Sequence, residues 1–155
     1  MRWRETKAEG HALLNSSIFI GEDDFSLASE LRDAFVKAGA TVNYPADTIE
    51  DALDVIMSSA VIDAAVLNVN LQGEATFAAA EHLQRRQIPF VFLQGFNASN
   101  IPETFRNTAR FEKPVDVDRM TEVMEALVSA HKPPSRLANE VDGRATDTWS
   151  TSRDC

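Results

Sequence analysis

From Ser17 onward the chain alternates between short apolar runs and segments whose apolar residues recur every three or four positions. Ser17-Ile-Phe-Ile-Gly-Glu22 is a strand-sized run ending in acids. It is followed by Leu27, Leu31, Ala34, Phe35 and Ala38 at helical spacing, with Gly39 as the stop. Ala40 to Tyr44 predicts a second strand. Thr48 to Ser58 predicts a second helix, with Thr48 ahead of Glu50 and Asp51 as its start and Ile49, Ala52, Leu53, Ile56 and Met57 as its apolar stripe. Val61 to Leu67 is the most continuous apolar run, as expected of a central parallel strand covered on both faces. A third helix over Ala75 to Arg86 and a fourth strand over Pro89 to Leu93 follow. Asn97 to Asn107 is polar, contains Pro102 and leaves room for about one turn of helix. Ala109 to Glu112 predicts a short fifth strand, and Val117, Met120, Val123, Met124, Leu127 and Val128 give the last helix its stripe. Five strand–helix units in this order predict a doubly wound α/β fold around a five-stranded parallel sheet.

Both ends fall outside this rhythm. Residues 1–16 read as an extension in which Trp3 or the Ala12-Leu13-Leu14 patch offers a docking point, and residues 17–131 as the folded domain. Residues 132–155 open on Pro133-Pro134, are rich in Ser, Thr, Asp and Arg, and read as a flexible tail with Trp149 as its one strong anchor.

Composition narrows the function classes. The 155 residues are 44% hydrophobic and 25% charged, ordinary for one soluble domain, and no apolar stretch approaches the roughly 20 residues of a spanning helix. The start lacks the apolar run of a secretory signal, so a cytoplasmic setting without membrane contact is expected. Cys155 is the only cysteine, which rules out an intrachain disulfide or a cysteine metal cluster. His11, His82 and His131 share no ligand spacing, against a zinc site. The net charge is −9, and residues 17–131 carry eighteen acidic and eight basic side chains, a net of −10. Such a domain repels a polyanion, so direct nucleic-acid binding is not expected; Arg85, Arg86, Arg106 and Arg110 read as solvated surface.

In a doubly wound sheet, functional groups collect at the carboxyl ends of the strands. Those ends carry Glu22-Asp23-Asp24, Asn68-Val69-Asn70, Gln94-Gly95 and Lys113-Pro114, so acids, amides and one lysine should converge. In this order and spacing the segments Phe19 to Asp24, Asp63 to Gly73, Pro89 to Gly95 and Glu112 to Pro114 resemble a response-regulator receiver domain over about residues 17 to 131. Phe92-Leu-Gln-Gly-Phe-Asn97 is also similar to the Phe-Ala-Thr-Gly-hydrophobic-Tyr signature of small stand-alone receivers with a shortened fourth helix, though the Thr and the Tyr are missing.

The resemblance implies a flavodoxin-like sheet in the order 2-1-3-4-5 and assigns roles to positions. Glu22, Asp23 and the backbone carbonyl of Asn70 match the Mg²⁺ ligand positions, and Asp24 is left to cap the first helix. Position 68 should be the aspartate that accepts the phosphoryl group; Asn68 is an amide and a poor nucleophile. Gln94 replaces the hydroxyl residue that couples phosphorylation to loop movement, and is long enough to reach Asn68 or the phosphate site. Arg110 replaces the aromatic switch, and Lys113 loses its phosphoryl partner. The expectation is a stand-alone, degenerate receiver with no catalytic residue and weak or no Mg²⁺ binding, in which Lys113 pairs with Glu22 or Asp23 and Pro114 follows a cis peptide. Its output would be contact with a histidine kinase, another regulatory protein or a second copy of itself. Two alternatives stay open: a phosphoryl acceptor using Asp23 or Asp24, and a small flavodoxin-like enzyme, which would lack a Gly-rich phosphate loop after the first strand.

Overall fold

The computed structural model describes residues 13–58 and 61–131. Its main sheet has five parallel strands: β1 (Ser17–Gly21), β2 (Thr41–Val42), β3 (Ala64–Asn68), β6 (Phe90–Gln94) and β7 (Arg110–Glu112), in the spatial order β2-β1-β3-β6-β7. Four helices connect or close them: α1 (Phe25–Lys37), α2 (Ile49–Met57), α3 (Phe77–Arg85) and α4 (Val117–His131). The predicted doubly wound order is therefore observed. Residues 1–12 of the expected extension, with Trp3 and Ala12, and the expected tail with Trp149 lie outside the described residues.

Alternation along each strand divides the core in two. Phe19, Ala65, Leu67, Phe90 and Phe92 face α2 and α3, whereas Ile18, Ile20, Ala64, Val66, Val91 and Leu93 face α1 and α4. All five residues of β3 are buried, because helices cover both of its faces. Val61 is 70% exposed and precedes β3, which starts three residues later than the apolar run predicts. The second strand is likewise shorter than the predicted Ala40–Tyr44.

Between β6 and β7 the chain makes only a 3₁₀ turn, Glu103–Phe105. This is the irregular connection that Pro102 and the polar interval predict. Phe105 fills the space a crossover helix would cover: it is buried, with its ring centroid 5.5 Å from that of Phe92 at 86°. Phe90 meets Phe92 edge-on at 5.3 Å, so an aromatic cluster closes this face of the sheet.

Leu13 is buried, and its N–H donates to the carbonyl of Ala38 at 2.9 Å. This close approach needs Gly39, whose φ is +107° and where an added Cβ would lie 2.9 Å from the Leu14 backbone. One element has no counterpart in the sequence reading, the hairpin β4 (Asn70–Leu71) and β5 (Glu74–Ala75), which follows β3. Its turn holds Gln72 and Gly73, both at positive φ, the geometry that best matches strand twist in a two-residue loop.

Candidate functional site

The strand order reverses between β1 and β3, and the candidate site lies at their carboxyl ends. β1 is followed by Glu22, β3 ends on Asn68, and β7 is followed by Lys113. Register places these three side chains together although they are far apart in sequence.

Glu22 is the hub. Only 1% of the residue is exposed, and its carboxylate accepts from three donors. The Lys113 ammonium lies 2.8 Å from Oε2, the backbone N–H of Asp24 donates to Oε2 at 2.8 Å, and the Asn68 amide nitrogen lies 3.2 Å from both Oε1 and Oε2. Burial pushes the Glu22 carboxyl above the ordinary carboxylate range, and the Lys113 hydrogen bond and the Asp24 amide only partly pull it back. Of the two carboxylates open to Lys113, the buried one holds it.

Asn68 is equally committed. Its nitrogen faces Glu22, and its Oδ1 accepts from the backbone N–H of Asn70 at 3.3 Å. Its backbone carbonyl accepts from the Thr76 hydroxyl at 2.7 Å, and the same hydroxyl reaches the Val69 carbonyl at 3.0 Å. The site thus uses the two ends of an amide for different tasks, a donor toward the acid and an acceptor toward the chain.

The remaining predicted residues divide. Asp24 is the N-cap of α1, accepting from the Leu27 N–H, as its position suggests. Asp23 accepts from the N–H of Gln72 at 2.6 Å and, beside Glu22, adds to the rise of that acid's pKa, while the Gln72 side chain donates to the Asp47 carbonyl. Asn70 exchanges two hydrogen bonds with Ser99, each at 3.0 Å, tying the β3–β4 junction to the loop after β6. Gln94 does not reach Asn68. Its amide is aimed at Glu112, 3.5 Å away along the β6–β7 ladder. Arg110 is exposed on β7, and with Gln94 and Lys113 it lines an open cavity of about 620 Å³ beside the site. The peptide between Lys113 and Pro114 is cis.

The sequence reading overlooked Gln72, Thr76 and Ser99. The Gln72-Gly73 pair marks a tight turn and could have pointed to the hairpin. Nothing local singles out Ser99, whose role depends on a partner 29 residues away.

No family model matches the chain, and no curated protein matches it. Solved structures do. SdrG from Sphingomonas melonis Fr1 is 32% identical with a TM-score of 0.56, covering 74% of this chain and 97% of SdrG. The non-phosphorylated HemR receiver domain from Leptospira biflexa is 25% identical with a TM-score of 0.63, over 77% of this chain and 98% of that domain. This chain belongs to the response-regulator receiver family. A receiver protein from Sinorhizobium medicae WSM419 shares the fold at a TM-score of 0.64 and 20% identity, covering 77% of this chain and 99% of that one. Among the described residues of this receiver, no three His, Cys, Asp or Glu side chains gather in a group that could hold a metal ion, and no helix is long and apolar enough to cross a membrane.

Proposed function

We propose that this receiver does not accept a phosphoryl group and acts through phosphorylation-independent contact with another protein of a two-component system, a histidine kinase or another regulator. The observation that carries the reading is the amide of Asn68 at the end of β3, its nitrogen turned onto the Glu22 carboxylate. Forming an acyl phosphate needs a carboxylate oxygen as nucleophile. An amide oxygen carries no formal charge, and here it is already taken by the Asn70 N–H.

The donor set also argues against a resident Mg²⁺. Such an ion takes oxygen ligands in near-octahedral geometry. Glu22 is occupied by an ammonium and two N–H donors, and Asp23 is tied to Gln72, so a cation would first have to displace Lys113. Lys113 already supplies the positive charge, and no step of the proposed function passes through a metal. The same engagement of Asp23 and Asp24 in backbone hydrogen bonds speaks against either as a substitute acceptor. No catalysis is assigned to the domain.

With its acceptor, hydroxyl and aromatic positions all altered, the domain lacks the chemistry that shifts a receiver between two populations, and it presents one surface to its partner. Incubation with a radiolabelled, autophosphorylated histidine kinase tests this directly. Label should stay on the kinase; transfer to the receiver at the rate of an ordinary receiver would overturn the reading.

A further inference from the structure

The charge of the domain is unevenly distributed. Residues 22–54 hold nine acidic and two basic side chains, whereas six of the eight basic residues of the domain lie at position 85 or beyond. On this acidic half, α1 and the loop between β2 and α2 bound a groove of about 280 Å³ lined by Phe25, Ala28, Arg32, Tyr44, Pro45 and Asp47. Phe25 is 83% exposed and Tyr44 is 90% exposed, two rings left in water at one opening. Asp23 reaches the same groove, and the exposed Asp47 carboxylate stands at its rim.

Arg32 decides what kind of occupant fits. Its Nε donates to the carbonyl of Val42 at 3.3 Å, and its guanidinium lies 6.0 Å from the centroid of the Tyr44 ring. The side chain therefore takes up one carbonyl of the edge strand β2, a group that an added strand would need. Among the described residues it forms no ion pair with the rim acid Asp47, which is left to meet an external cation. Exposed aromatic faces beside carboxylates favour arginine or lysine over acidic groups, through ring contact and charge together.

Resting on the reading of the domain as a protein-binding module, we propose that this groove receives a basic segment of a partner protein, an arginine or lysine side chain flanked by an apolar one. The cation meets the exposed Asp47 carboxylate, and the apolar neighbour packs on Phe25 and Tyr44. A long-range field from the acidic half steers the encounter, so association slows with added salt.

The test uses the full chain, isotope-labelled for NMR, and two synthetic probes: a five-residue peptide alternating arginine and leucine, and its glutamate–leucine counterpart. The basic peptide should shift amides around Phe25, Arg32, Tyr44 and Asp47, and the acidic one should not. Removing both exposed rings (Phe25→Ala with Tyr44→Ala) should weaken binding at least tenfold and leave the fold intact, since neither ring is buried. Shifts spread over the acidic surface and unchanged in the double variant would overturn the proposal, as would equal binding of the acidic peptide. Self-association abolished by the same variant would assign the groove to a second copy and overturn it too. None of these outcomes bears on phosphoryl acceptance, which the kinase experiment reads separately.

Discussion

Lys113 Nζ rests 2.8 Å from Glu22 Oε2 across a separation of 91 residues, joining the segment after β7 to the segment after β1. The partnership is unequal: none of the Glu22 side chain is exposed, against 24% of the lysine's. Losing the lysine therefore strands a buried carboxylate, whereas losing the acid leaves an ammonium that can reach water. Lys113→Met is expected to lower stability by about 2 kcal/mol at neutral pH. The double variant with Glu22→Gln should recover most of that loss. Chemical denaturation of the four proteins measures the coupling, and additive single effects would contradict it.

The raised pKa of Glu22 gives the fold a pH signature. Its ordinary value is 4.5, and burial holds the folded-state value higher. Between the two values the folded state carries more protons than the unfolded chain, so this group's contribution falls as pH rises through that window and is level above it. The difference in unfolding free energy between the wild type and Glu22→Gln should follow that course. In Lys113→Met the decline should extend to higher pH, since the lysine lowers the Glu22 pKa. A difference that grows in favour of the wild type with rising pH would contradict this.

Asn68→Asp replaces the donor facing Glu22 with a second negative charge. Two carboxylates at the present 3.2 Å separation repel, so the variant should lose about 2 kcal/mol in the absence of divalent cations. Millimolar Mg²⁺ should restore part of the loss in the variant and leave the wild type unchanged. Thermal unfolding with and without Mg²⁺ is the check.

Thr76 is expected to be structural. Its buried hydroxyl is the side-chain donor to the carbonyls of Asn68 and Val69, and its own N–H also binds Val69. Thr76→Val keeps the volume and removes that donor, and should cost about 1–2 kcal/mol without altering partner contact. A pull-down showing lost binding at unchanged stability would assign Thr76 a functional role instead.

Much of this was legible in the residues. Strand and helix periods marked the five parallel strands and the helices, because burial on one or two faces leaves a period in the sequence, whereas the strand order came from the receiver resemblance. The pocket members Glu22, Asn68 and Lys113 were found because strand ends in this topology converge. What remained hidden depends on side-chain reach. Glu22 and Asp23 are adjacent and chemically alike, and only the folded chain shows that the first turns inward and the second toward Gln72. Gln94 is long enough to bond Asn68, yet its amide lies toward Glu112 instead. The β4–β5 hairpin is two residues per strand, too short for alternation to register.

The central claim is that position 68 takes no phosphoryl group, and intact mass spectrometry of the folded chain after incubation with acetyl phosphate and Mg²⁺ tests it most directly. The mass is predicted to stay unchanged, beside an ordinary receiver that gains one phosphoryl group under the same conditions. A stoichiometric gain of one phosphoryl group on this chain, wherever it maps, would contradict the account.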